Sequence, residues 1–211
     1  MTQSSLVRWF KPVIFVACLW PLMRLGWKGY GGLLGANPIE VITHSTGDWT
    51  LIFLMVTLSV TPLRKLSGQL WLIRYRRMFG LFAFFYATLH FLTYIWLDKF
   101  FDVHEMLVDV AKRKFITIGF TAFLLMMPLA VTSTRDWIRR LGGRRWNRLH
   151  RLIYVSALCG VIHYLWLVKA DIRTPGEYGA VLAVLLGYRA VVWIWPRVGP
   201  LAGRRAEVPQ E

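Results

Sequence analysis

Cysteine and acid are the scarce residues in this sequence. Its 211 residues include two cysteines, Cys18 and Cys159, and 11 acidic side chains against 26 basic ones. Both cysteines lie inside apolar runs and read as small buried residues. They exclude paired-cysteine zinc and iron–sulfur spacings, and no C-x-x-C-H occurs to hold a porphyrin covalently. No G-x-G-x-x-G joins a strand pattern to a helix pattern, so no attached nucleotide-binding domain is expected. Arg8 and Lys11 precede the apolar run 13–23, as in a signal peptide. No small-x-small cleavage site follows that run, and a retained first helix is expected.

Apolar residues are plentiful instead. They make up 56% of the chain, and the mean hydropathy is +0.45. A soluble domain of this length cannot hide that much apolar surface in one core, whereas lipid can solvate it. The net charge of +15 sits in short clusters between apolar runs. That placement fits loops facing anionic lipid and speaks against nucleic acid. The predicted fold class is all-α, a polytopic membrane bundle. About six spans of the length a bilayer requires are expected near 9–25, 45–62, 78–98, 115–133, 151–168 and 178–195. Pro62 is expected to stop the second. The segment 26–43 should be irregular, and 99–114 could form a short interfacial helix. Short connections make neighbours antiparallel. Residues 1–196 then form one transmembrane domain, and 197–211 a cytoplasmic tail with no expected order. Lys and Arg favour alternate segments roughly two to one, as in Arg74, Arg76, Arg77 and Arg144, Arg145, Arg148, which places both termini in the cytoplasm.

Ionisable groups inside a membrane are expensive and mark function. Among the five histidines, depth discriminates. His90 lies 13 residues beyond Arg77, about 20 Å along a helix. His163 lies 12 residues beyond Arg151, about 18 Å. Both predicted spans run outward, so the two imidazoles reach nearly the same depth on parallel helices. Facing neutral imidazoles are suitable axial ligands for a haem iron, here in the outer half of the bilayer. The bland alternative is two buried histidines, each bonded to a backbone carbonyl. His150 precedes His163 by 13 residues, a rotation of about 140°, and lacks a histidine at its own depth. It is either an interfacial polar residue or the ligand of a second haem with a different partner. His104 follows Asp98, Lys99 and Asp102 and reads as an exposed loop residue. His44 opens the second span, as a helix cap or a quinone contact.

Other features carry two readings each. Trp20, Trp49, Trp96, Trp166, Trp193 and Trp195 lie near span ends and form an aromatic belt. Phe82, Phe84, Phe85 and Tyr86 either pack the bundle or line a porphyrin. Gly80 and Gly160 would admit a macrocycle or a neighbouring helix. The arginine clusters, Arg77 included, are topology signals or contacts for haem propionates or a flavin phosphate.

Order and spacing of several motifs carry a resemblance. The run Arg76-Arg77-Met78-Phe79-Gly80-Leu81 through Leu89-His90 is followed by Thr132-Ser133-Thr134, Trp146-Asn147-Arg148-Leu149-His150 and Ile162-His163-Tyr164-Leu165-Trp166. With Gly32-Leu33-Leu34-Gly35-Ala36-Asn37-Pro38 and Thr61-Pro62-Leu63, these resemble the MsrQ (YedZ) family over essentially the whole chain. More remotely they resemble the ferric-reductase-like core of NADPH oxidases and STEAP metalloreductases. The resemblance implies a ferric-reductase-like bundle in the bacterial inner membrane with His90 and His163 as a haem b pair. It places His150 at one position of a second pair, where Arg76 replaces the expected partner. It further implies FMN, although no motif here places an FMN site. Electrons would come from quinol or a cytosolic flavin reductase. They would go to a periplasmic molybdenum-containing subunit of MsrP type that repairs oxidised methionines. The competing readings are a partner-independent metal or quinone reductase and a transporter using His90 and His163 as proton relays.

Overall fold

A computed structural model describes residues 3–168 and 171–198; the remainder of the expected tail, 199–211, lies outside the described residues. The described residues form helices and turns with no strand. The helices are α1 (Gln3–Tyr30), α2 (Pro38–Ser67), α3 (Ile73–Leu92), α4 (Val103–Lys112), α5 (Lys114–Val131), α6 (Arg135–Leu149), α7 (Leu152–Leu167) and α8 (Arg173–Val198). A 3₁₀ turn, Leu70–Leu72, leads into α3, and a π-helical turn, Thr93–Asp98, continues it. Among the described residues, five segments are long and apolar enough to cross a membrane: Trp9–Tyr30, Pro38–Ser67, Leu70–Asp98, Lys114–Val131 and Arg173–Ile194; α7 is a shorter apolar helix. Trp9, Phe10, Val13, Val184, Val191 and Trp193 are exposed, the distribution of a protein solvated by lipid.

Local chemistry explains most boundaries. Asn37 caps α2 by accepting from the Glu40 N–H at 3.3 Å, Pro38 occupies the first turn, and Gly68 ends the helix with φ 70°. Irregular backbone is therefore confined to about 31–37, less than the expected 26–43. Asp102 caps α4 through the Glu105 N–H at 2.9 Å, which places His104 on a helix, still exposed. Thr134 caps α6, where a loop was expected, by accepting from the Trp137 N–H. The arginines around α6 and the start of α3 share one end of the bundle, called here the arginine-rich end. The core is a pair of helix hairpins, α2 against α3 and α5 against α7, with α8 packed on α2 and α7. Leu54, Leu58, Ala83, Tyr86 and Ala157 fill its centre. Ser156 donates to the Ala122 carbonyl at 3.0 Å and ties α7 to α5.

Pro62 does not stop α2, which runs on to Ser67. Proline has no N–H, so the Leu58 carbonyl lacks its helical donor. The Arg189 guanidinium, from α8, donates to that carbonyl. It also donates to Leu185 O at 2.7 Å and lies 5.4 Å from the Tyr154 ring centre. An arginine within an apolar span is thus matched to a carbonyl that a proline has freed. Near Pro21 in α1, the Tyr86 hydroxyl donates to Cys18 O at 2.9 Å and ties α3 to α1.

Lys99 clamps α4 to the turn beyond α3. Its ammonium is 2.7 Å from both Asp109 and Glu105, and Arg113 holds the other Asp109 oxygen at 3.2 Å. The hydrogen bond to Asp109, then that to Glu105, raises the lysine above its ordinary range. The same bond from Lys99 holds the Asp109 carboxyl below its ordinary 3.8.

Two outcomes are expected. Arg189→Leu should lower the unfolding midpoint in detergent, since an unsatisfied buried carbonyl costs about 1–3 kcal/mol. Adding Pro62→Ala, whose N–H can serve Leu58 O, should restore most of the loss; independent effects would refute the pairing. Because the Asp109 carboxyl is depressed, its contribution is complete above 3.8 and is lost as pH falls through the lowered value. Hydrogen exchange should show α4 amides protected at neutral pH, unprotected in acid, and unprotected at neutral pH in Lys99→Met.

Candidate functional site

The histidines of α3 and α7 meet. Both helices start at the arginine-rich end, so they carry His90 and His163 to one level, with ring centres 6.1 Å apart and planes at 78°. Each ring is held from behind. His90 Nδ1 is 3.0 Å from the Thr43 carbonyl on α2, and His163 Nδ1 is 2.6 Å from the Phe115 carbonyl on α5. A carbonyl oxygen can only accept, so both Nδ1 atoms carry the proton and donate. Each Nε2 is therefore an unprotonated lone-pair donor. These carbonyl bonds are what the bland reading of buried histidines required. They are equally the outer support that fixes tautomer and ring orientation in metal-ligating histidines.

Two glycines make the arrangement possible. A Cβ on Gly47 of α2 would lie 3.2 Å from the His90 ring, and one on Gly119 of α5 would lie 2.5 Å from His163 Nδ1. By contrast, Gly80 and Gly160 face Thr57 and Leu51, so they serve helix packing. The aromatic run before His90 packs the bundle as well. Phe82 and Tyr86 lie on Phe53, and Phe84 stacks on Phe123 at 5.6 Å. Thr43, Phe115, Gly47 and Gly119 are the site positions that sequence reasoning missed. Two contribute only a carbonyl and two only the absence of a side chain, so residue type carried no signal.

A metal bonded to both Nε2 atoms at about 2 Å, with each ring centre about 1 Å behind its nitrogen, sets the ring centres about 6 Å apart. The observed 6.1 Å and the two neutral imidazoles fit such an ion. His90 also borders a local irregularity. Thr93 opens the π turn, donates to His90 O at 2.7 Å, and faces Thr43 Oγ1 at 3.3 Å. Such turns frequently accompany functional positions.

His150 is placed differently. Its Nε2 is 3.1 Å from Thr132 Oγ1, and its ring stacks on Trp146 at 3.8 Å. The Thr132 hydroxyl proton is directed to Pro128 O at 2.6 Å, so His150 Nε2–H is the donor in their contact. Trp146 Nε1 closes the knot by donating to Thr132 O at 2.9 Å. Burial, then the charge of Arg76, pushes the His150 pKa down to about 4. Arg77 is exposed; Arg76 is the arginine that acts on His150.

The fold defines a helical membrane bundle in which two histidines from different helices meet. Residues 46–161 match the family described as ferric reductase like transmembrane component, a stretch that includes His90 and His150 and ends before His163. Curated relatives narrow this. The chain is 57% identical to a protein of Herminiimonas arsenicoxydans over 189 residues, covering 89% of this chain and 86% of that one. It is 51% identical to one of Ralstonia nicotianae over 207 residues, covering 96% and 95%. It is 53% identical to one of Azospira oryzae over 192 residues, covering 88% and 82%. Each relative is named protein-methionine-sulfoxide reductase heme-binding subunit MsrQ. The chain belongs to the MsrQ family.

Gly119→Ala should force the His163 ring off the Phe115 carbonyl and lower the thermal midpoint, overpacking being worth about 1–3 kcal/mol. Gly143→Ala, whose Cβ would meet nothing within 4 Å, should leave the midpoint in place. Equal midpoints for the two variants would show that the glycine contact is slack.

Proposed function

We propose that this chain is a membrane b-type cytochrome, with His90 and His163 as the axial ligands of one haem. The observation that carries the reading is the facing pair of imidazoles, 6.1 Å apart, each donating through Nδ1 to a backbone carbonyl. Bound haem supplies a one-electron carrier inside the bilayer. The rest falls to the chain. The Thr43 and Phe115 carbonyls hold the tautomers and make each Nε2 a stronger donor. Gly47 and Gly119 leave room for the rings, and the surrounding apolar helices keep water away. The relatives' names support both the haem and an association with a methionine-sulfoxide reductase.

The finer reading is electron delivery. Quinol, or a cytosolic flavin reductase, is the donor; a periplasmic molybdenum-containing subunit of MsrP type is the acceptor. The inner membrane is the location, with both termini cytoplasmic, and residues 1–196 form the haem-binding domain. FMN belongs to the same reading, the arginine clusters being candidates for its phosphate. A second haem at His150 would have to displace the Thr132 contact, with Arg76 as the nearby cation.

Optical spectra of the detergent-purified protein test the ligands. His90→Ala and His163→Ala should each lose the low-spin Soret signature. Full low-spin haem in both variants would end the assignment, and a wild type with no Soret band would favour a proton-relaying transporter. His150→Ala should keep the haem content if one haem is bound and halve it if two are. Reoxidation of the reduced haem should accelerate when the methionine-sulfoxide-reducing partner and its substrate are added; an unchanged rate would indicate a partner-independent reductase.

A further inference from the structure

The two facing imidazoles are not held alike. His90 stands where the α-helical register of α3 gives way to the π turn Thr93–Asp98. There Thr93 serves the His90 carbonyl twice, through its backbone N–H and through its hydroxyl at 2.7 Å. A hydroxyl has one proton, and the short bond to His90 O spends it. Thr93 Oγ1 therefore accepts in its 3.3 Å contact with Thr43 Oγ1, and the Thr43 hydroxyl donates. His90 Nδ1–H in turn donates to the Thr43 carbonyl at 3.0 Å. The three bonds close a cycle, from His90 to Thr43, from Thr43 to Thr93, and from Thr93 back to His90.

Thr43 behaves unlike other threonines of the spans. Thr46, Thr50, Thr57 and Thr88 turn their hydroxyls back to a carbonyl of their own helix. The Thr43 hydroxyl instead crosses from α2 to Thr93, a buried side chain 50 residues further along the chain. Thr93 Oγ1 accepts and donates at once, so each bond polarises the other. Within a bilayer no water competes for them. α2 thus grips His90 by its side chain directly and by its backbone through Thr93. His163 has no such cycle. Its Nδ1 meets Phe115 O, and no hydroxyl among the described residues bonds to either of these two residues. Close packing on Gly119 confines its ring instead.

We infer that Thr93 and Thr43 are positioning residues that set the strength of His90 as an axial ligand. This rests on the haem reading above. The hydroxyl bridge keeps α3 in register with α2, and so keeps His90 Nδ1–H on the Thr43 carbonyl. That bond makes Nε2 a stronger donor, and a stronger imidazole donor favours ferric over ferrous iron. Without the bridge the bond to Thr43 O loosens, Nε2 donates less, and the ferric state loses more than the ferrous. His163, held by different contacts, keeps its donor strength. The two ligands are therefore inequivalent, and the hydroxyl bridge acts on the iron through His90 alone.

The test uses haem-loaded protein in lipid nanodiscs. Thr93→Val exchanges the hydroxyl for a methyl group of similar size and should raise the haem midpoint potential. An about tenfold loss confined to the ferric state, the lower range for losing an outer partner, is about 59 mV. The ferric paramagnetic resonance signal should shift while staying low-spin. Thr93→Ser keeps the hydroxyl and should return both readouts to wild type. Thr43→Val removes the bridge from the other side and should move the potential the same way, so the assignment stays testable if Thr93→Val fails to load haem. The double valine variant should add little to either single one. Thr88→Val, whose hydroxyl serves Phe84 O on its own helix, should leave the potential in place. A second readout is nitrogen-15 resonance of the imidazole N–H groups in the dithionite-reduced, diamagnetic protein. The His90 N–H should exchange with solvent faster in Thr93→Val, and that of His163 should not. A wild-type potential in Thr93→Val and Thr43→Val would overturn the tuning role, and unchanged His90 exchange would overturn the cycle itself. A wild type without low-spin haem would overturn the haem reading and the tuning with it; His90 exchange in that protein would then test the cycle by itself.

Discussion

A polar group inside a bilayer has no water to turn to, and this constraint arranges most of the molecule. Polar groups within the spans find partners on a neighbouring helix or their own, the buried Thr61 hydroxyl being an exception among the described residues. The Leu58 carbonyl, left open by Pro62, is met by Arg189. Cys18 O is met by Tyr86, and Ala122 O by Ser156. The same rule governs the two intramembrane histidines, which donate to Thr43 O and Phe115 O. Helix pairing, tolerance of proline and the aim of the imidazoles are therefore one problem solved several times.

Those two carbonyl bonds link architecture to chemistry. Because Nδ1 is committed to the backbone, Nε2 must be the basic nitrogen of each ring. α2 and α5 thus define the tautomers of histidines borne by α3 and α7. Gly47 and Gly119 stand where those carbonyl-bearing helices pass behind the rings, close enough that any side chain would intrude. His150 shows the contrast. Its Nε2–H is spent on Thr132, and its ring is covered by Trp146.

Much of this was legible in the linear chain. Apolar runs of bilayer length announced a helical membrane protein, and counting residues from Arg77 and Arg151 put His90 and His163 level. The Pro62 boundary was misplaced because the rescuing donor, Arg189, lies 131 residues away in sequence. The helix α6 was missed because its arginines read as loop charge, although Thr134 was available as a cap. Gly80 and Gly160 drew attention as small residues on histidine-bearing helices, while the glycines that touch the rings sit on the partner helices.

The sequence by itself determined the solvent, the helical class and the shared depth of His90 and His163, because hydropathy and helical rise are local properties of a chain. Tertiary structure alone decided which backbone carbonyls hold the imidazoles and which glycines make room for them. Such choices depend on how helices rotate and pack against one another, and a carbonyl or a missing side chain leaves no mark on residue identity that could reveal its partner.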